Sequence, residues 1–427
     1  VPKRITALLL TVLASTLATP YDVAVAKPPP GLCTNADAAL PVIRQLPWAQ
    51  QILDPARVWP YSTGAGVLVA VVDSGVDSDH PQLRRPGKVA AGEDFFQVGR
   101  LRANFDCDSH GTAVAGIIAA DAAAGIGFRG IAPQARILPV RVSERGSTDG
   151  TANEIDPLVL AQGIRYAADQ GADVINLSLA GARDDKVVRQ AVAYAQRKDV
   201  LVIAAVGNGQ RDDTIRPSYP AAYPGVLGVG ATDIAGTRLQ SSQIGPYVDL
   251  MAPGGSVVGA ARSGGHNYYS GTSFAVPFVA GTAALVRAAW PNLTAPQVAQ
   301  RLLATTMPAR GGSSRAAYGV GIVDPYRAVT DGLTTKRPAV MPTMAHPPVD
   351  EVAAARTAGE QRLMSRAWHG SGLVIAAALL ALLVALIVPQ AVRRRWRPGR
   401  TPEPATEPIR DEAPDQLFLL PPPPAER

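Results

Sequence analysis

The sequence predicts an α/β fold built on a mostly parallel central sheet flanked by helices. Two observations carry that prediction. Residues 67–72 (Val-Leu-Val-Ala-Val-Val) form an unbroken apolar run, and 137–142, 174–179 and 200–205 are similar. Short apolar runs without alternation mark strands buried on both faces. Helical patterns lie between some of them, at 157–170 before Val174 and at 186–197 before Val200. Strands that alternate with helices of this length form βαβ units in a parallel sheet. Right-handed crossovers then place helices on both faces.

Composition agrees with a large folded body. The chain has 427 residues, 47 % hydrophobic and 18 % charged, with two Cys and a net charge of +6. It is too apolar for a disordered chain, too long for a disulfide miniprotein and too poor in Cys for a zinc-finger array. The basic excess is small and dispersed. Its one tight run, Arg393-Arg394-Arg395-Trp396-Arg397, follows an apolar stretch. That placement argues for a membrane edge and against a nucleic-acid partner.

Taken in order, residues 1–26 carry a basic start, a short apolar core over 5–17 and Ala24-Val25-Ala26. This is the layout of a cleaved signal peptide, with an uncleaved anchor as the alternative. An extension, 27–63, follows. The globular body is expected over 64–330, with further helices at 273–290 and 295–305, the second N-capped by Thr294. A Pro- and Thr-rich linker, 331–369, then leads to residues 370–388, which hold no charge. As a helix these reach roughly 28 Å, enough to cross the hydrocarbon core. Five Arg within 393–400 put the C-terminus in the cytoplasm and the body on the extracytoplasmic side of a cell membrane, crossed once. The tail, 389–427, is rich in Pro and Glu and lacks the means to build a core.

Three segments carry chemistry. Val71-Val72-Asp73-Ser74-Gly75-Val76-Asp77 puts Asp73 at the C-terminal end of a buried strand, where clefts of parallel sheets form. Asp108-Ser109-His110-Gly111-Thr112-Ala113-Val114-Ala115-Gly116 opens a run of small residues with a His, as suits a helix packed closely on a sheet. Ser270-Gly271-Thr272-Ser273-Phe274-Ala275-Val276-Pro277 places a Ser at the start of an apolar helix after a Gly-containing turn. A Ser hydroxyl is a poor nucleophile unless an imidazole takes its proton and a carboxylate orients that imidazole. Plainer readings exist for each residue. Asp73 serves as a cap after its strand, Ser273 as an N-cap, Asn208 between two glycines as a turn residue, and His110 as a packed core His. No second His at i+4 and no nearby Cys/His set accompanies His110, so no metal site is expected.

The segments DSGVD, HGTAVAG and GTSFAVP resemble the three active-site motifs of the subtilisin-like serine proteases, the subtilases, whose chain order is also Asp, His, Ser. Ala204-Ala205-Val206-Gly207-Asn208-Gly209 resembles a fourth motif and Asn176-Leu177-Ser178-Leu179-Ala180-Gly181 a fifth. The resemblance implies a subtilisin-like fold and a triad of Asp73, His110 and Ser273 acting through an acyl-enzyme. It also implies Asn208 as an oxyanion donor and substrate-backbone binding at Ser178, Leu179, Ala180 and Gly181. No cofactor is expected from the residues themselves. Phe274 and Val206 depart from the Met and Ala usual in subtilases, which affects pocket shape. The layout of leader, Cys-bearing extension, protease, Pro-rich linker, single membrane helix and short tail is similar to that of the mycosins, subtilases of mycobacterial type VII secretion systems. Pro55-Ala56-Arg57-Val58-Trp59-Pro60 also fits their pattern. As partners this implies exported protein substrates and the type VII secretion membrane complex. The alternative role is a structural component of that complex with proteolysis dispensable for export. A peptidoglycan or lipid hydrolase on the same triad is a weaker third reading.

In an exported body the two cysteines lie in an oxidising compartment, where Cys33 and Cys107 have only each other to pair with; the alternative is two free thiols. A bridge would tie the extension beside His110. Residues 27–60 are too few for an independent inhibitory domain. A retained strap is therefore expected.

Overall fold

The computed structural model describes residue 33, residues 39–97, 101–144, 155–310, 312 and 314–333, and residues 388, 389, 392 and 393. The expected leader lies outside these residues, as do all but the last residue of the expected membrane span and nearly all of the linker and tail. The chain divides into two units, Val1–Ala339 and Val340–Arg427, and the fold described is that of the first.

It begins with α1 (Trp48–Leu53), a 3-10 turn at Pro55–Arg57 and β1 (Leu68–Asp73). Then come β2 (Glu93–Asp94), α2 (His110–Ala119), β3 (Arg136–Arg141), α3 (Pro157–Asp169), β4 (Val174–Leu177), α4 (Lys186–Arg197) and β5 (Leu201–Ala205). After β6 (Leu227–Thr232) and β7 (Leu250–Pro253), the strands β8 (Val257–Ala260) and β9 (His266–Tyr269) make an antiparallel hairpin. Four helices close the fold: α5 (Thr272–Ala289), α6 (Ala295–Ala304), α7 (Arg315–Tyr318) and α8 (Pro325–Thr330). Thr294 and Gln297 form a reciprocal capping box at the start of α6.

The strands β1 to β7 form one sheet in the order β2-β3-β1-β4-β5-β6-β7, with every pairing parallel. From β1 the chain first builds outward to β2 and β3 on one side, then continues from β4 on the other. A crevice opens at the C-terminal ends of strands where direction reverses in this way. Asp73 ends β1 and Ser178 follows β4, so both stand at that crevice.

Side chains alternate across each strand, and β1 buries both sets. Val69 and Val71 join the core of α2 and α5, with Val114, Ile117 and Phe278. Ala70 and Val72 join the core of α3 and α4, with Ile164, Val188 and Val192. Arg141, inside an apolar run of the sequence, is fully buried in β3 and donates to Asp94 of β2 at 2.7 Å. Among the described residues, α5 alone has the length and apolar character to cross a membrane. Its residues from Thr272 to Arg287 are all buried within the fold, which makes it a core helix, apolar all round.

The extension lies against the β8–β9 hairpin. Leu40 N–H donates to Gly264 O at 3.0 Å, His266 N–H to Pro41 O at 3.2 Å and Ile43 N–H to His266 Nδ1 at 3.1 Å. Cys33 and Cys107 form a disulfide with Cα atoms 5.2 Å apart.

Candidate active site

Asp73 and His110 meet because α2 starts against the end of β1. Gly111 makes that approach possible: a Cβ there would lie 2.0 Å from Gly75 O and 3.2 Å from Asp73 Cβ. The Nδ1–H of His110 donates to Asp73 Oδ1 at 2.7 Å, with both side chains buried. Asp73 Oδ1 also accepts the Ser74 N–H at 2.7 Å. With Nδ1 holding the proton, Nε2 of neutral His110 is an acceptor. Among the described residues this buried Nε2 has no hydrogen-bond partner. Burial lowers the pKa of His110, but the charge and hydrogen bond of Asp73, aided by Asp108 and Asp106, raise it above its ordinary value.

Ser273 stands in the first turn of α5, buried, after Gly271, whose φ of 140° turns the chain into the helix. The Phe274 ring beside it lies 4.9 Å from the His110 ring, and Tyr269 stacks on it at 4.7 Å. Phe274 therefore packs against both β9 and the imidazole. Ser273 N–H belongs to the helix start, where no intrahelical acceptor exists. In this arrangement the Ser273 hydroxyl makes no hydrogen bond to Nε2.

Asn208 follows β5, and its side-chain oxygen accepts the Thr272 N–H at 2.9 Å and the Thr272 hydroxyl at 3.1 Å. Those two donors fix which end of the amide is oxygen. Nδ2 is left as a donor, and a Cβ on Gly271 would lie 3.2 Å from it. Ser178 uses its hydroxyl within the fold. It donates to Ser273 O at 2.6 Å and accepts from Asn176 Nδ2 at 2.9 Å. Gly181 exchanges both backbone hydrogen bonds with Tyr219, each 2.8 Å long. Leu179, half-buried, and Ala180, exposed, lie between them. Among the described residues, no three His, Cys, Asp or Glu side chains are grouped to hold a metal ion.

Two supports of this site escape a reading of the motifs alone. Thr272 orients Asn208, and Asp106 braces the start of α2. The only signal for Asp106 in the sequence is a carboxylate shortly before a helix that opens with His.

The model of the Subtilase family (Peptidase S8) matches residues 64–321. The chain belongs to the subtilase family. This subtilase is a subtilisin-like serine endopeptidase related to the mycosins. It is similar to mycosin-4 of Mycobacterium tuberculosis, 35 % identical over 397 residues that cover 82 % of each chain. It is also similar to thermitase of Thermoactinomyces vulgaris, 40 % identical over 240 residues, 56 % of this chain and 81 % of that protein. Among solved structures it resembles the MycP3 protease from the type VII (ESX-3) secretion system. The TM-score is 0.60 at 33 % identity, covering 71 % of this chain and 96 % of that one.

Proposed function

We propose that this subtilase is a membrane-anchored endopeptidase of a type VII secretion system that cleaves exported proteins at Ser273. One observation carries the reading: His110 gives its Nδ1–H to buried Asp73 while its buried Nε2 has no partner among the described residues. That is the tautomer a general base needs. In the reaction, Ser273 Oγ attacks the scissile carbonyl and passes its proton to Nε2. Asp73 stabilises the imidazolium that forms. The oxyanion takes the Asn208 Nδ2–H and the Ser273 N–H, donors already held by Thr272 and by the helix start. His110 then hands its proton to the leaving amine, and the acyl group stays on Ser273 until water, deprotonated by His110, releases it.

The substrate backbone is read at the segment after β4. Gly181 is paired with Tyr219 and the Ser178 hydroxyl is engaged with Ser273. Backbone pairing with the peptide therefore falls to the stretch from Ser178 to Ala180. Anchoring rests on residues 370–388, and the secretion role on likeness to mycosin-4 and to the MycP3 protease. The experiment is the Ser273→Ala variant, assayed for peptide-bond hydrolysis and for export in cells that lack the wild-type gene. Wild-type hydrolysis that vanishes in Ser273→Ala supports the reading, and hydrolysis that survives overturns it. Export that persists in Ser273→Ala but stops on gene deletion assigns the secretion role to the protein's presence and leaves its hydrolysis as a separate activity.

A further inference from the structure

Asp106 is buried and does none of the proton transfers, yet both its carboxylate oxygens are engaged with the supports of the residues that do. Oδ1 accepts from the Ser74 hydroxyl at 3.0 Å and the Asp108 N–H at 2.9 Å. Oδ2 accepts from the Thr112 N–H at 2.9 Å and the Thr112 hydroxyl at 2.6 Å. The Ser74 hydroxyl in turn accepts the Gly111 N–H at 3.0 Å, while Ser74 N–H donates to Asp73. A single carboxylate thus joins the residue after Asp73 to the two residues after His110.

The start of α2 explains the demand for it. Ser109, at the N-cap, has a φ of 81° and makes no side-chain cap. The first N–H groups of a helix need acceptors from outside it. Asp106 caps Thr112 directly and Gly111 through Ser74, and a negative charge is favoured at this end of a helix. The loop is pinned around it. Asp106 bridges Gly75, its carbonyl accepts from Arg262 Nη1 at 3.3 Å, and Cys107 is tied to Cys33. Burial, countered by these hydrogen bonds and reinforced by the charge of Asp73, pushes the Asp106 pKa up to about 6. The four hydrogen bonds it accepts favour the charged carboxylate.

We propose that Asp106 is a positioning residue of the triad, holding Asp73 and His110 together through Ser74 and Thr112 and adding its charge to the field that makes His110 a base. The proposal rests on the reading of Ser273 as nucleophile. The charged and titratable groups around His110 are Asp73 of β1, Asp106 and Asp108 of the loop before α2, Arg262 after β8, and Tyr269 of β9. Without the Asp106 charge, one of the carboxylates that raise the His110 pKa is lost, and His110 becomes less basic.

The test is the rate of fluorophosphonate reaction at Ser273 against pH, in the full-length chain, with thermal melting recorded alongside. Asp106→Asn should lower the maximal rate at least about tenfold with little change in reagent binding, as misplacement of a base does. Its acid limb should move to lower pH. Ser74→Ala, which cuts the link but keeps the charge, should lower the maximal rate and leave the limb in place, and it carries the test if Asp106→Asn does not fold. A folded Asp106→Asn with the wild-type rate and limb overturns the proposal. So does a rate loss that only tracks the folded fraction with the limb unmoved, or Ser74→Ala at the wild-type rate. A wild-type chain that does not react at Ser273 overturns the nucleophile reading and this proposal together. Reaction of wild type and Asp106→Asn alike overturns this proposal alone.

Discussion

Nδ1 of His110 lies 2.7 Å from Oδ1 of Asp73, and both side chains are buried. The two residues are 37 positions apart and meet because α2 begins where β1 ends. The same contact fixes the tautomer of the imidazole and raises its basicity, so it couples geometry to pH dependence.

A base works only when neutral, so activity should fall as pH drops through the His110 pKa. Asp73 and its neighbouring carboxylates hold that pKa above 6.5. The acid limb of kcat/KM should therefore lie at higher pH than that of an ordinary imidazole. Asp73→Asn removes the main raising influence and leaves the tautomer unsupported. Its limb should move down and its kcat should fall on the order of 10⁴-fold. A pH–rate profile of the two proteins checks both effects.

Gly111 sets how closely α2 sits on β1. Gly111→Ala pushes a methyl against Gly75 O and the Cβ of Asp73. The helix start must shift, and His110 with it. Misplacing a base by about 1 Å can cost on the order of 10² in rate. We expect kcat to fall by that order, with KM little changed, in steady-state assays of folded protein.

Asn208→Ala should lower kcat by on the order of 10²–10³, the size known for loss of one such donor in subtilisin itself. Asn208→Asp keeps the acceptor for Thr272 but replaces the donor with a negative charge. It should be slower still while melting near the wild-type temperature. Equal activity of the two variants would mean that Nδ2 does not face the oxyanion.

The disulfide spans 74 residues of sequence. Chain-entropy arguments assign a loop of that size about 4 kcal/mol. Cys33→Ser should then lower Tm by on the order of 10 °C, read by calorimetry. In gels of the mature protein, a clipped extension should part from the body only after reduction. Separation without reductant would refute the retained strap.

Much of this architecture was legible in the residues. The unbroken run before Asp73 predicts a strand buried on both faces, and β1 does feed both cores. The periodic stretches 157–170 and 186–197 become α3 and α4 within a residue of their expected ends. The strands β6 and β7 were not legible. Leu227-Gly-Val-Gly-Ala-Thr232 is rich in glycine, a weak strand former. Its glycines are there for close approach, since a Cβ on Gly228 would lie 1.9 Å from Tyr247 O. The β8–β9 hairpin was hidden too, because its short strands, Val-Val-Gly-Ala and His-Asn-Tyr-Tyr, show no alternation of apolar and polar residues. At the site, the motifs name the candidate triad but not the residues that hydrogen-bond around it. Thr272 and Asp106 act through hydrogen bonds that only the fold creates.

The most direct measurement is peptide mass spectrometry of the full-length chain after reaction with a fluorophosphonate at neutral pH. One adduct is expected, on Ser273, lost in Ser273→Ala and strongly reduced in Asp73→Asn. An adduct on another residue, or none on folded wild-type protein, would contradict that expectation.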